Sequence, residues 1–293
     1  MTGFVWLASY PKSGNTWFRL LVANLSATDA PTDINAMDER GGIASARAEF
    51  EFHTMLDSGL LTHDEADALR PRVYEMLAED TGRADAETRL VKVHDAYLTT
   101  PVGEPLLRAA RGAIVIVRDP RDVACSLANH RHSTVDEAIA FMADRDACFA
   151  ANLRTQPAQL RQRLLDWSGH VASWLDQADV RVHLVRYEDL QADPVGTFST
   201  ALTFAGRTPA RADLERSIEF ARFERLQAQE LEHGFSEWRP RGGSALFFRR
   251  GQSQAWRREL TAEQVQRIES VHGSMMARLG YPRSAEPLDQ RAV

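Results

Sequence analysis

The stretch FVWLASYPKSGNTW, residues 4–17, places a short apolar segment directly before a turn of small and polar residues. The continuous apolar run at 4–9 is typical of a strand buried on both faces of a parallel sheet. Large apolar residues at helical spacing follow the turn and predict a helix. A tight turn at Gly14 before a helix N-terminus directs backbone N–H groups and a positive dipole end toward one point. The stretch therefore predicts an anion-binding loop after a buried strand.

This turn matches a Walker A phosphate loop only in part. The Walker A pattern G-x-x-x-x-G-K-[ST] places its lysine after the second glycine, whereas Lys12 precedes Gly14 here. Two interpretations stay open on the pattern alone, a phosphate loop of another kind and an ordinary strand-to-helix turn. The hydroxyl and small residues of the turn favour the phosphate loop.

Three further segments read as strands, and two of them are apolar runs rich in β-branched residues, whereas the first alternates. They are LVKVH at 90–94, GAIVIV at 112–117 and VRVHLV at 180–185. Asp119 before Pro120 and Asp193 before Pro194 are typical helix starts. Strands that alternate with helices predict an α/β fold with a central, mainly parallel sheet flanked by helices, and a ligand site beyond the carboxyl ends of the strands.

Length and composition exclude several classes of protein. With 293 residues and 44% hydrophobic content, the chain can bury a large core, and we expect one domain over residues 1–293. The apolar runs are far shorter than a membrane span. The N-terminal residues lack the pattern of a signal peptide, which predicts a soluble, cytoplasmic protein with no membrane partner. Cys125 and Cys148 have no metal-ligand spacing. The net charge of −6 argues against nucleic acid as a partner.

The basic residues are unevenly distributed. The chain has thirty-three arginines but only two lysines, Lys12 and Lys92. Residues 239–258 contain six of the arginines, no acidic residue and several aromatic residues. A solvated basic face would explain such a block. The interleaved aromatic side chains favour an ordered segment that binds an anion.

Four motifs resemble, in the same order, those of the sulfotransferases that use 3′-phosphoadenosine 5′-phosphosulfate (PAPS), especially the cytosolic type and its soluble bacterial relatives. They are YPKSGNTW at 10–17, IVRDPRDVACS at 116–126, RYEDL at 186–190 and FFRRGQSQAW at 247–256. The resemblance runs from residue 4 to about 281. It implies a P-loop-like three-layer fold. It also implies transfer of a sulfuryl group from PAPS to a hydroxyl or amine of a small molecule, with PAP as product and no metal.

The resemblance assigns the matched residues to parts of the donor. The first loop would bind the 5′-phosphosulfate, and Arg118 with Ser126 would bind the 3′-phosphate. The late Arg-Arg-Gly element would close on that phosphate, and aromatic residues would contact adenine. The implied donor-binding residues are Lys12, Ser13, Gly14, Asn15, Thr16, Trp17, Arg118, Ser126, Tyr187, Phe223, Arg249, Arg250 and Gly251.

A general base and positioned cations are the groups that sulfuryl transfer requires. Side chains alternate along a strand, so Lys92 and His94 share one face of the segment 90–94. The resemblance includes a Lys-x-His at this place with the histidine as base. We therefore predict His94 as general base, a role that is favoured because the pKa of histidine normally lies near neutrality. Lys12 and Lys92 are the predicted catalytic cations, and His53 and His130 are the alternative bases.

The acceptor region matches the family least. Residues 26–88 are predicted to form a variable helical region on the acceptor side, and the Gly- and Arg-rich stretch 233–246 to form a lid loop. Four aromatic residues predict a pocket for a phenol or hydrophobic alcohol: Phe50, Phe52, Trp238 and Phe247. The oligomeric state stays open.

Two other functions remain as alternatives. A P-loop nucleotide-dependent kinase would use Asp119, after its strand, to hold Mg²⁺. The position of Lys12 and the Arg-Arg-Gly element count against it. A non-catalytic nucleotide-binding protein would be expected to lose Lys12 or His94, and both are present.

Overall fold

The computed structural model describes residues 3–37, 42–81, 88–152, 157–238 and 246–284. The strands in this part of the chain are β1 Phe4–Ser9, β2 Arg89–Val93, β3 Ala113–Val117, β4 Cys148–Phe149, β5 Gln162–Arg163 and β6 Val182–Arg186. The helices are α1 Asn15–Asn24, α2 Arg47–Thr54, α3 His63–Thr81, α4 Pro120–Arg131, α5 Val135–Met142, α6 Trp167–Leu175, α7 Tyr187–Ala192, α8 Pro194–Phe204, α9 Arg211–Phe220, α10 Phe223–His233, α11 Trp256–Glu259 and α12 Ala262–Arg278, with a 3-10 turn at Ser58–Leu60.

The central sheet has the order β2-β1-β3-β6, and each neighbouring pair is parallel. β4 and β5 form a separate antiparallel pair. All four predicted strands are present, although β2 ends one residue before His94. The α/β prediction is confirmed, and the carboxyl ends of four parallel strands meet at one edge.

Helix starts follow from local side-chain chemistry. The Asp119 carboxylate accepts the N–H of Arg121 and caps α4, and the Asp193 carboxylate accepts the N–H of Gly196 at the start of α8. Prolines occupy the first helical position in both cases, where the missing N–H costs nothing. Both helix starts are therefore confirmed.

Two apolar cores lie on opposite faces of the sheet. Phe4, Trp6 and Ala8 of β1 pack on the face covered by α3, α4, α6 and α12, whereas Val5 and Leu7 pack on the face of α1, α8 and α9. The alternation explains the continuous apolar run of β1, because both of its faces are buried. The result is a three-layer arrangement. No helix in the described ranges has the length and apolar character of a membrane span.

A buried ion pair fixes the chain beyond β2. The Arg70 guanidinium of α3 donates to the Asp95 carboxylate at 2.6 and 3.1 Å, and both side chains are at most 1% exposed. The N–H of Arg163 also donates to Asp95, at 3.0 Å. These contacts hold the residue directly after His94, and thereby restrict where the histidine can point.

Candidate functional site

A cavity of about 1290 Å³ lies beyond the carboxyl ends of the four parallel strands. Every residue predicted for donor binding or catalysis lines this cavity except Ser13. The four motifs, which lie far apart in sequence, therefore meet at the edge of the sheet where the topology places a ligand.

The loop between β1 and α1 is a tight turn that only small residues permit. The N–H of Ser13 donates to the Tyr10 carbonyl at 3.3 Å, and Lys12 and Gly14 have positive φ values of 70° and 107°. A Cβ at Gly14 would lie 2.5 Å from the Tyr187 ring. The turn leads into the N-terminus of α1, whose first backbone N–H groups have no partner within the helix and suit an anion.

The side chains of Ser13 and Asn15 in this loop are buried. The Asn15 amide donates to the Leu7 carbonyl at 3.0 Å and to Ser9 Oγ at 3.2 Å, which ties the start of α1 to β1. The Ser13 side chain is fully buried and does not line the cavity. Both side chains are therefore engaged in or buried by the fold, and of the two residues only Asn15 lines the cavity.

The ammonium of Lys12 lies 3.5 Å from the centroid of the Phe247 ring. Burial, together with the nearby Arg118 and Lys92, lowers the pKa of Lys12 to about 7. The Lys12 side chain thus loses its charge more readily than an exposed lysine, until an anion in the cavity supplies a counter-charge.

Aromatic rings form another part of the cavity wall. The Trp17 indole donates to the Ala221 carbonyl at 3.0 Å, and its ring meets Tyr187 edge-on at 5.6 Å. The Arg118 guanidinium lies 4.4 Å from the centroid of Tyr187. Gly251 has a φ of 60°, and a Cβ there would lie 2.1 Å from the Phe223 ring. Tyr187 and Phe223 each face a glycine that leaves room for no side chain.

The late basic element is held by a carboxylate that the sequence did not single out. Glu259 of α11 accepts from Arg249 at 2.8 Å and from Arg250 at 3.0 Å. The Arg118 guanidinium donates to the Gln252 carbonyl at 3.0 Å, and Ser126 is half-buried on α4. The structure brings the three arginines and Ser126 to one cavity.

His94 is held in a defined orientation beside β1. Its Nδ1 lies 2.8 Å from the Ser9 carbonyl, so Nδ1–H donates and Nε2 is left as the proton acceptor. Burial and the adjacent Lys92 lower the pKa of His94 to about 3, not the near-neutral value expected from the sequence. The neutral, basic form of the imidazole is therefore present throughout the neutral pH range.

Lys92 pairs with a carboxylate at the base of the predicted lid. Glu237 accepts from Lys92 Nζ at 3.1 Å and from Arg19 Nη1 at 2.7 Å. Burial opposes the charge of Glu237, but Lys92 and Arg19 outweigh it and lower its pKa to about 2. Of the predicted lid, residues 239–245 lie outside the described residues, whereas Phe235 and Trp238 are buried in the core.

Part of the acceptor prediction was wrong. Trp238 and Phe247 line the cavity, but Phe50 is buried in the core against α3 and Phe52 is 72% exposed. Both lie on α2, away from the cavity, because one face of that helix packs inward and the other meets solvent. Among the described residues of the region 26–88, Ile43 alone lines the cavity.

The alternative bases differ in position. His53 lies on α2, where it is 3.6 Å from Glu49 and does not line the cavity. His130 does line it, and its ring stacks on Trp238 at 5.5 Å. Burial and the nearby Lys12 lower the pKa of His130 to about 3.

Three polar residues of the site were missed in the sequence. Glu237 and Glu259 pair with predicted basic residues, and the Gln191 amide donates to the Gly251 carbonyl. Glu237 and Glu259 lie at the two ends of the arginine block 239–258, which marks them as candidate counter-charges but does not show which cations they contact. No group of three or more metal-ligating side chains is found within the described ranges.

Comparison with known proteins identifies the family. A family model described as a sulfotransferase domain matches residues 3–280. The chain is 22% identical over 275 residues to cytosolic sulfotransferase 16 of Arabidopsis thaliana, covering 90% of this chain and 73% of that protein. It is also 22% identical over 290 residues to a flavonol sulfotransferase-like protein of Flaveria bidentis, covering 94% and 82%.

Solved structures show the same fold. Retinol dehydratase in complex with androsterone and inactive cofactor PAP aligns with a TM-score of 0.58 and 20% identity, covering 93% of this chain and 80% of that chain. A mouse sulfotransferase complexed with PAP aligns with a TM-score of 0.58 and 19% identity, covering 94% and 84%. The match of the family model to nearly the whole length shows that the chain belongs to the sulfotransferase family of enzymes.

Proposed function

We propose that the protein transfers the sulfuryl group of PAPS to a hydroxyl group of a small-molecule acceptor and releases PAP. The observation that carries this proposal is the meeting of the Lys12 loop, the arginines of the late basic element and the free Nε2 of His94 in one cavity. The family match supports the reaction class, and two solved structures of the same fold are complexes with PAP.

The residues of the cavity fit such a donor. The turn from Lys12 to Thr16 and the N-terminus of α1 suit the 5′-phosphosulfate. The 3′-phosphate would be bound by Arg118, Ser126 and the Arg249–Arg250 pair. A guanidinium group can donate two parallel hydrogen bonds to the oxygens of one phosphate. The aromatic rings of Trp17, Tyr187 and Phe223, which line the cavity, suit a flat ring such as adenine.

The catalytic groups have separate tasks in this proposal. His94 Nε2 takes the proton of the acceptor hydroxyl as its oxygen forms the bond to sulfur. The bond from sulfur to the bridging oxygen of PAPS breaks, and Lys12 and Lys92 stabilise the charge on the leaving phosphate and the sulfuryl oxygens. A compact ammonium can follow this charge, which a planar guanidinium cannot do as well.

For the acceptor, the cavity supports a hydrophobic alcohol or a phenol. Trp238, Phe247 and Phe149 contribute aromatic surface to the cavity that His94 lines. One structure of the fold is a complex with androsterone and another is a complex with retinol, and both compounds are hydrophobic alcohols. A cytosolic relative supports the cytoplasm as the place of the reaction. We infer one domain, since the family model spans residues 3–280.

The kinase alternative has less support. Asp119 accepts from the Arg121 guanidinium at 2.6 Å and caps α4, so its carboxylate is engaged away from the cavity lining. The phosphate loop also keeps its lysine ahead of Gly14, unlike a Walker A loop.

Thermal unfolding in the presence of nucleotides tests the proposed donor. A ligand at 100 times its Kd adds about 2.7 kcal/mol to the free energy of unfolding. We expect PAP to raise Tm with or without Mg²⁺, and ADP, which lacks the 3′-phosphate, to raise it much less. A rise with ATP that requires Mg²⁺, together with no rise from PAP, would instead establish the kinase.

A further inference from the structure

We propose that Glu237 is a positioning residue for sulfuryl transfer, because its carboxylate holds the Lys92 ammonium at the reacting end of the cavity through a bridge to Arg19. The inference rests on the proposed function, since it assigns Lys92 to the sulfuryl group. Glu237 has no counterpart among the residues that the sequence motifs predicted.

The bridge joins three separate parts of the fold. One oxygen of Glu237 lies 3.1 Å from Lys92 Nζ on β2, and the other lies 2.7 Å from Arg19 Nη1 on α1. The Lys92 and Arg19 side chains are 13% and 9% exposed, and Glu237 lines the cavity. The two oxygens of Glu237 therefore pair with different cations.

The backbone that carries Glu237 is itself anchored. The N–H of Ser236 donates to the Asn35 side chain at 2.7 Å, and the N–H of Trp238 donates to the Phe235 carbonyl at 2.9 Å. The Phe235 and Trp238 side chains are buried in the core. Glu237 thus projects from a fixed support at the start of the predicted lid, as a positioning residue must.

The charges around Glu237 explain why a carboxylate is useful here. Lys12 and Lys92 face the cavity from the loop after β1 and from β2, and Arg118 faces it from the end of β3. These cations repel one another before a donor binds. The negative charge of Glu237 opposes this repulsion. It raises the pKa of Lys12 and of His94, whereas burial and the neighbouring cations lower both values.

Two other groups also act on these pKa values. Glu230 of α10 raises the pKa of Lys12, and the buried His170 of α6 lowers the pKa of His94. The Glu230 carboxylate accepts the backbone N–H groups of Phe247 and Phe248 at 2.6 and 2.8 Å. Glu230 therefore holds the backbone of the late basic element, whereas Glu237 pairs directly with the side chain of Lys92.

The test compares Glu237→Gln with the wild-type enzyme by kcat at saturating PAPS and acceptor, by the Kd of PAP, and by the pH profile of kcat/KM. We expect kcat to fall about tenfold or more, as small displacements of reacting groups do. PAP should bind equally well or more tightly, because a negative charge near a polyanion is lost. The pH profile of kcat/KM reports the free enzyme, in which loss of the Lys12 proton should give the alkaline limb. This limb should move to lower pH in Glu237→Gln, because the carboxylate that raises the pKa of Lys12 is removed.

Further variants separate positioning from a loss of folding. Glu237→Asp keeps the charge and should keep the alkaline limb near its wild-type position. Arg19→Gln removes one cation of the bridge but keeps the ion pair between Glu237 and Lys92. It should therefore lower kcat less than Glu237→Gln does. Asp176→Asn removes a carboxylate from an exposed pair with Arg278 and is the control for a general change of charge.

The outcomes distinguish this inference from the proposed function. Wild-type kcat and an unmoved alkaline limb in Glu237→Gln would overturn the role of Glu237 and leave the sulfotransferase assignment intact. A parallel loss of kcat and PAP affinity would show that Glu237 only supports the fold, and would also overturn the proposal. If the wild-type enzyme itself bound no PAP, the proposed function and this inference would fall together.

Discussion

Lys12 and Lys92 are the only lysines of a chain with thirty-three arginines, and both line the same cavity. A preference for arginine explains why lysine is rare but does not explain where the two remaining lysines lie. An ammonium is compact and rotatable and can lose its proton, whereas a guanidinium is planar and stays charged. The placement of the lysines therefore follows the chemistry of the site.

Lys12→Arg should lower kcat more than it weakens the binding of PAP. The variant keeps a cation for the phosphates but replaces the compact group that follows charge to the leaving oxygen. The measurement compares kcat for transfer with the Kd of PAP by calorimetry. Wild-type kcat in the variant would contradict the role given to Lys12.

The same variant should change the pH dependence of PAP binding. In the free wild-type protein the pKa of Lys12 is about 7, so Lys12 loses its charge as pH rises above that value. Binding must then take up a proton, and PAP affinity should fall from about pH 7 to about pH 9. A guanidinium at this position stays charged, so the affinity of Lys12→Arg should be nearly constant over that range. An equally steep fall in both proteins would assign the titration to another group.

His94→Ala should abolish most of the transfer and leave PAP binding intact. Loss of a general base lowers the rate by about 10²- to 10⁴-fold. The low pKa of His94, about 3, also means that the activity of the wild-type enzyme should show no acidic limb from this group near neutrality. His130→Ala is the matched control, since His130 lines the same cavity. A larger loss in His130→Ala would move the base to that residue.

At the scale of elements, glycines that line the cavity tolerate a side chain less well than glycines on the surface. Gly251→Ala should destabilise the protein by about 1–2 kcal/mol through its positive φ, and further through contact of the new methyl with Phe223. It should also weaken PAP binding. Urea unfolding and PAP titration measure the two effects.

Gly103→Ala provides the matched control for backbone strain alone. Gly103 has a φ of 85°, and a Cβ there would meet nothing within 4 Å. Its substitution should cost less than that of Gly251 and leave the Kd of PAP unchanged. Equal effects of the two substitutions on stability and on binding would show that the contact with Phe223 is unimportant.

The elements of the fold were largely predictable because their signals are local. A continuous apolar run revealed β3, a segment rich in β-branched residues revealed β6, and an Asp-Pro pair revealed the start of α4. The acceptor wall was not predictable in the same way. Phe50 and Phe52 are two residues apart on α2, and the sequence alone does not show that one faces the core and the other faces solvent.

The bridge at Glu237 was unpredictable for a different reason. Its partners Arg19 and Lys92 are 218 and 145 residues away in sequence, and only the packed fold brings them together. Motifs revealed the cations that line the cavity, and three of the four motifs lie at the end of a strand. The counter-charge that holds those groups in place belongs to no motif and depends on the tertiary structure.

At the scale of the whole molecule, a net charge of −6 surrounds a cavity rich in cations. Attraction of a polyanion by such a cavity weakens as salt shortens the range of the interaction, from about 30 Å at 0.01 M to about 3 Å at 1 M. The Kd of PAP should therefore rise steadily with NaCl. Calorimetry over that range measures the dependence, and a flat response would show that hydrogen bonds and ring contacts dominate the binding of PAP.

The confinement of both lysines to the cavity also determines how the protein meets reagents that acylate lysine. On most proteins such reagents label a scattered set of surface amines with little consequence for activity. Here both lysine amines line the proposed donor cavity, and a larger share of Lys12 is uncharged near neutral pH than of an ordinary lysine, because its pKa is about 7. Acylation of either lysine of this protein should therefore place the label in the cavity, and a bound nucleotide should shield it.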